Sequence, residues 1–214
     1  MVCGLCPRFG ADRLATKTDN DNARALLLEA ALNEFWTKGY NGTRVDEIIA
    51  KTPFTKGAFY HHFASKKALA LAVIDETLGA MMQQRWLEPL QDATDPFASL
   101  IGQLNAARHD GDEGVRRGCP LNNLAQEIAH EDEDIRAAVN RHFEGWQQGF
   151  AEAIAESQER GQVRPEIDPQ ALAAYIVASY EGAVSLAKAA HSAAMLNTAI
   201  DPLVAHLESL RTKQ

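Results

Sequence analysis

An all-α protein is what this sequence predicts, and three observations carry the expectation. Alanine and leucine are abundant while aromatics make up only 7%, so the Val/Ile/Thr alternation that marks strands is scarce. Apolar residues recur instead at i, i+3 and i+4. The apolar stretches also open on Ser, Thr or Asp and close on Lys-Gly or Gly, which are helix start and stop signals. Nine helices are expected, with no internal repeat and no low-complexity tract.

A chain of 214 residues buries roughly 70% of its unfolded surface, enough for one substantial core or two smaller ones. No apolar run approaches the roughly 20 residues that span a bilayer, and the N-terminus lacks a continuous apolar stretch. A soluble, cytoplasmic protein is the expectation. The net charge of −8 disfavours a general polyanion binder, yet it is unevenly spread. Residues 1–68 hold ten Lys/Arg against seven Asp/Glu, and residues 69–214 eleven against twenty-two. Phosphate binding needs only local positive charge, and the cationic part is N-terminal.

Residues 1–20 show no period and carry Gly4, Pro7 and Gly10, so a disordered tail is expected. Cys3 and Cys6 have Cys-x-x-Cys spacing, but no second Cys/His pair lies nearby to complete a zinc site. The first helix is expected from Asp21 to Lys38, with Leu27, Leu28, Ala31, Leu32, Phe35 and Trp36 as its apolar stripe and Gly39 as its C′ residue. Tyr40-Asn41-Gly42 is turn chemistry, and Thr43 is placed to cap a second helix bearing Val45, Ile48 and Ile49. Thr52-Pro53 breaks that pattern, because proline removes a donor and biases its predecessor away from helix.

Thr55 then caps a third helix, Lys56 to His62, with Phe59 and Phe63 on its inner side. Its outer side offers Thr55, Lys56, Gly57, Tyr60 and His61. A buried brace helix followed by a helix showing cationic and aromatic groups outward is a helix-turn-helix.

Ser65 caps a long fourth helix carrying Leu69, Val73, Leu78, Met81, Met82 and Trp86, which Pro89 ends or kinks. A domain boundary is placed here: 21–66 as the helix-turn-helix domain and 67–214 as an effector-binding and dimerisation domain. Thr94-Asp95-Pro96 starts a fifth helix to His109, and 110–114 reads as a loop. Gly118-Cys119-Pro120 opens a sixth, with Leu121, Leu124, Ala125 and Ile128. A long seventh runs from Asp132 to Arg160, closed by Gly161. Asp168-Pro169 caps an eighth to Ala190, unusually apolar and rich in small residues. The ninth spans Ser192 to Arg211, with Asp201-Pro202 expected to kink or restart it.

The stretch 27–43, L-L-E-A-A-L-N-E-F-W-T-K-G-Y-N-G-T, followed by 55–69, T-K-G-A-F-Y-H-H-F-A-S-K-K-A-L, resembles the DNA-binding domain of the TetR family of transcriptional regulators. The combination carries the likeness: an aromatic-x-x-x-Gly-Tyr helix end, a Lys-Gly-x-x-Tyr-x-x-Phe recognition helix, and Ser-Lys opening the next helix. G-C-P-L-N-N-L-A-Q-E (118–127) resembles the sixth helix of one branch of that family. The resemblance implies a ligand-responsive repressor that binds a palindromic operator as a homodimer and is released by a small organic effector.

Mapped by position, Thr55, Lys56, Gly57 and Ala58 would face base edges, Thr43, Tyr60, His61 and Lys66 would sit at phosphates, and Arg44 joins the DNA-binding set. Helix N-termini offer free N–H groups to phosphate, and Gly57 lets backbone approach DNA. Lys56 is the one long donor on the front of the recognition helix, so direct base readout should be sparse. Position 53 departs from the family: glycine there can take positive φ, and Pro53 cannot. Either the turn changes geometry or the recognition helix rotates slightly.

Aromatic walls with a few polar groups suit a mid-sized organic ligand, so Trp86, His109, Cys119, Asn122, Trp146, Tyr175, Tyr180 and Glu181 are the candidate effector residues. Cys119 follows Arg116-Arg117 at a helix start, which lowers a thiol pKa. It reads as an electrophile sensor or as a packing thiol. Tyr175, Ala178, Gly182, Leu186, Leu196, Leu203 and Leu207 are the candidate dimerisation residues, because two apolar helices per subunit build an isologous four-helix interface.

Neither a cofactor nor a metal is expected. His61 and His62 point about 100° apart on a helix, and Glu127-x-x-His130, a di-iron half-site spacing, has no second copy in the chain. With no phosphate loop or Ser/His/Asp order, an enzyme has little support. The alternative function is a helical small-molecule sensor that has lost operator binding.

Overall fold

The computed structural model describes residues 19–109 and 111–212. The expected N-terminal tail, with Cys3 and Cys6, falls almost wholly outside them. Regular structure among the described residues is helical apart from one isolated bridge between Val163 and Arg211. The helices are α1 (Asp19–Lys38), α2 (Val45–Ile49), α3 (Lys56–His62), α4 (residues 66–91), α5 (Pro96–Ala107), α6 (Gly111–Arg117), α7 (Pro120–Ile128), α8 (Glu133–Glu159), α9 (Pro169–Ala190) and α10 (Ala193–Ser209). No described helix is long and apolar enough to cross a membrane.

The nine expected helices are present, and α6 is an addition. The segment 110–114 reads as a loop because of Gly111 and Gly114, yet Gly111–Arg117 is helical. Val115 is buried in the core beside it, and that burial outweighs the glycine penalty. Pro202 does not break α10. Proline there deprives only the carbonyl of Thr198, and both residues are exposed, so water satisfies it. The helix 66–91 contains two π-helical stretches, Val73–Leu78 and Gln83–Leu87. The second directly precedes Pro89 and absorbs the register change that a proline imposes. Ser65 and Asp95 cap α4 and α5 as expected, accepting from Ala68 N–H at 3.0 Å and Ala98 N–H at 2.8 Å.

Two compact units emerge. Among the described residues, one comprises 19–80 and 120–141, and the other 81–119 and 142–212. The first contains α1, α2 and α3, together with α7 and the start of α8. Its core uses every residue of the α1 stripe, with Ile48, Phe59, Phe63, Leu69, Ile74, Leu121, Leu124 and Ile128. Ion pairs reinforce that core at its edges. Lys67 Nζ lies 2.9 Å from Asp132 and 2.6 Å from Asp134, and Arg141 lies 3.0 Å from Asp75. The Lys67 ammonium, with the Ile135 N–H, holds the Asp132 carboxyl below its ordinary value. Asp132 also caps α8 through Asp134 N–H and Ile135 N–H.

The second unit is built on a core from Trp86 through Leu210. Asp168 caps α9 through two backbone N–H groups, and His191 ends it in the left-handed region at φ 50°. Ser157, fully buried, donates to Ala153 C=O and accepts from Phe97 N–H at 3.1 Å, which pins α5 to α8.

Candidate DNA-reading surface and effector core

The recognition helix α3 is anchored by Phe59 and Phe63, both buried, with ring centroids 6.0 Å apart. Burying two such rings contributes roughly 2–3 kcal/mol each, and it forces the opposite side outward. Thr55 is the N-cap and accepts from Ala58 N–H at 3.3 Å. Thr55, Lys56, Gly57, Tyr60 and His61 are exposed and Ala58 is partly so, which is the outward set read from the sequence. Tyr60 packs edge-on against Phe59 at 5.1 Å with half its surface free, so its phenol is directed by a buried neighbour.

The turn containing Pro53 closes without any residue at positive φ. Thr52 Oγ1 donates to Ile49 C=O at 2.9 Å and accepts from Phe54 N–H at 3.4 Å. A threonine side chain thus does locally what a left-handed glycine would otherwise do.

Three expected phosphate residues behave differently. Thr43 is 1% exposed and does not cap α2; its hydroxyl donates to Gly39 C=O at 2.7 Å. The cap position belongs to Arg44, which is exposed and whose backbone N–H donates to Glu47 at 2.9 Å. Lys66 is turned inward. Its ammonium donates to Tyr40 C=O at 2.8 Å and Thr43 C=O at 2.9 Å and lies 4.2 Å from the Tyr40 ring centroid. Burial pushes its pKa down. Both residues support the turn between α1 and α2.

Two acidic residues outside the candidate set complete this region. Asp46 on α2 pairs with Lys56 at 2.9 Å. Glu127 on α7 accepts from Tyr40 N–H at 2.8 Å and Asn41 N–H at 2.7 Å. The spacing of Glu127 and His130 suggested only metal chemistry, and no group of metal-ligating residues occurs among the described residues.

In the second unit the candidates divide. Trp86, Trp146 and Tyr180 come together: centroids lie 5.1 Å apart for Trp86–Trp146, 4.8 Å for Trp86–Tyr180 and 5.8 Å for Trp146–Tyr180. Phe150, absent from the expected set, joins them at 6.0 Å from Trp86. Glu181 is buried next along α9. The Trp146 indole N–H is buried with no acceptor among the described residues, which makes it a donor held ready for one. Cys119 is half-buried and packs on the edge of this core.

Other candidates stand apart from it. His109 is exposed, Tyr175 is half exposed and lies edge-on to His206 at 5.8 Å, and Asn122 belongs to the first unit. Tyr175 and His206 line a shallow groove of about 300 Å³ with Ile167, Asp168, Ala171, Leu172 and Leu210.

The dimerisation set also divides. Tyr175, Ala178, Gly182 and Leu186 form one exposed face of α9, Leu186 with 58% of its surface free. Leu196, Leu203 and Leu207 are instead buried in the subunit's own core. The apolar stripe of α10 is spent inward, and Met195, Pro202 and His206 are among the residues of its outer surface.

Comparison with known proteins agrees with these features. Residues 27–73 match the family of bacterial regulatory proteins, tetR family, and residues 99–203 match the tetracyclin repressor-like, C-terminal domain. The transcriptional regulator AcuR of Cereibacter sphaeroides is 35% identical over 190 residues, covering 85% of this chain and 83% of that protein. The HTH-type transcriptional repressor DhaR of a Mycobacterium species is 31% identical, covering 75% and 80%. The crystal structure of a regulatory protein TetR from Rhodobacter sphaeroides superposes with a TM-score of 0.77 at 30% identity, covering 86% of this chain and 98% of that one. These relatives are transcription regulators rather than enzymes, and this chain belongs to the TetR family of bacterial transcriptional regulators.

Proposed function

We propose that the chain is a one-component repressor that binds a palindromic operator as a homodimer and is released by a small organic effector. The observation that carries this reading is the outward face of α3, where Thr55, Lys56, Gly57, Tyr60 and His61 are exposed over buried Phe59 and Phe63. A short cationic and aromatic face on a rigid base fits a major groove and its flanking phosphates. With Thr43 and Lys66 engaged internally, phosphate contacts fall to Arg44, Tyr60 and His61.

Pairing of two subunits through Tyr175, Ala178, Gly182 and Leu186 would set two recognition helices about 34–36 Å apart, one turn of DNA. The effector would occupy the Trp86–Trp146–Tyr180 region, its acceptor received by the Trp146 N–H. Cys119 is the proposed point of attack for an electrophilic effector, since it follows Arg116-Arg117 at the entry to α7. The protein would act in the cytoplasm.

The test is selection of genomic fragments by the purified protein, followed by titration of the selected DNA at several salt concentrations. Sequence-selective, salt-sensitive binding by a dimer is the expected result. A protein that selects no sequence is a sensor without an operator. For Cys119, alkylation that leaves operator affinity unchanged removes the electrophile reading.

A further inference from the structure

The turn that links α1 to α2 is held from two sides by side chains from elsewhere in the chain. Gly39 adopts φ +80°, and the next two residues, Tyr40 and Asn41, direct their N–H groups at the two oxygens of Glu127, at 2.8 and 2.7 Å. Consecutive backbone N–H groups after a left-handed residue form a small anion-binding concavity, and here a carboxylate occupies it. A Cβ on residue 39 would lie 2.6 Å from Glu127 Oε2, so glycine is required both for the backbone angle and for the carboxylate's approach. From the other side, Lys66 takes the carbonyls of Tyr40 and Thr43. Glu127 is borne by α7, far away in sequence from the brace and recognition helices.

We propose that Glu127 is a positioning residue for DNA reading: it transmits the pose of α7 to the turn that precedes the brace helix α2, and so to α3. Residues 39–44 link α1 to α2, and α2 is joined to α3 by the turn between them and by the Asp46–Lys56 pair. A shift of α7 that withdraws the carboxylate leaves two N–H groups without their acceptor and frees the turn to change its exit angle. Displacement of α7 would then loosen operator reading without any contact between α7 and DNA. This rests on the operator-binding reading above.

Electrostatics alone predicts the opposite sign. Removing a carboxylate from a DNA-binding unit tightens its binding to any polyanion. The test compares the full-length wild type, Glu127→Ala and Glu127→Gln on selected operator and on random-sequence duplex, with amide hydrogen exchange of Tyr40 and Asn41 measured on the same proteins.

The expected result for Glu127→Ala is operator affinity about tenfold weaker, random-duplex affinity unchanged or slightly tighter, and loss of protection at both amides. Glu127→Gln, which keeps one acceptor, should be intermediate in both readouts. Unchanged or improved operator affinity with lost protection overturns the proposal, as does an equal loss on both DNAs. If neither variant folds, Glu127 is a fold element and the proposal likewise fails. A wild type that selects no DNA would instead sink the operator reading itself.

Discussion

The ammonium of Lys56 lies 2.9 Å from the carboxylate of Asp46, so the one long donor on the front of the recognition helix is already paired across the turn from the brace helix. Both side chains are more than half exposed, so solvent screening leaves the pair little weight in stability. Asp46 raises the Lys56 pKa, and in the proposed operator complex it would compete with DNA for that charge.

Asp46→Asn should therefore release Lys56. Random-sequence duplex should bind about fivefold tighter, while thermal stability barely moves. The ratio of operator to random affinity should fall. Fluorescence anisotropy on the two duplexes at matched salt decides the matter, and equal affinities before and after the substitution would show the pair to be idle.

Lys66 offers a test between a structural and a phosphate-binding cation. Its two bonds to backbone carbonyls and its place over the Tyr40 ring make it a support of the α1–α2 turn. Lys66→Gln should lower stability by about 2 kcal/mol, the worth of charged hydrogen bonds at a partly buried site. The salt dependence of operator binding should keep its slope. A slope reduced by about 1 would mean that Lys66 neutralises a phosphate in the complex.

Two leucines separate surface from core on the C-terminal helices. Leu186 is 58% exposed on α9 and Leu207 is fully buried on α10. Leu186→Glu should shift sedimentation toward monomer while leaving the unfolding of the monomer intact, because charge on an isologous face is repeated across the two-fold. Leu207→Ala should cost about 2–5 kcal/mol in the subunit core, seen as a lower denaturant midpoint. Dimer formation undisturbed by Leu186→Glu would place the interface elsewhere.

His62, at the end of α3, carries a pH dependence whose sign is fixed. Burial, and after it His61 and Arg24, lower its pKa below the ordinary 6.5. The unfolded chain thus takes up a proton near pH 6.5 that the folded chain resists. Stability should fall as pH drops through about 6.5 and level off below the folded-state value. Melting curves between pH 7.5 and 5.5 should show that loss, and His62→Gln should flatten it. Equal slopes in the two proteins would remove His62 as the cause.

Local chemistry made much of this protein legible in its sequence. The α1 stripe, the caps at Ser65, Asp95 and Asp168, and the outward set on α3 are short-range features: helical period decides which residues share a face, and a cap bonds to the N–H groups two or three positions on. The family likeness rested on the same stretch. What failed were local signals overridden from a distance. Thr43 has the chemistry of a cap, but burial of the turn sends its hydroxyl back to Gly39. Pro202 has the chemistry of a break, but it lies on the solvent side of α10, where little is lost.

By itself, then, the sequence determined nine of the ten helices among the described residues and which face of α3 looks outward. Tertiary structure alone decided the use of each charge and each leucine. Lys66 and Lys56 look alike along the chain, yet one is spent on carbonyls and the other is offered to solvent. Leu186 and Leu207 have the same period, and packing of α9 on α10 leaves only the first exposed. Glu127 meets Tyr40 across 87 residues. No local pattern encodes such pairings, because they are set by which surfaces the folded core brings within hydrogen-bond reach.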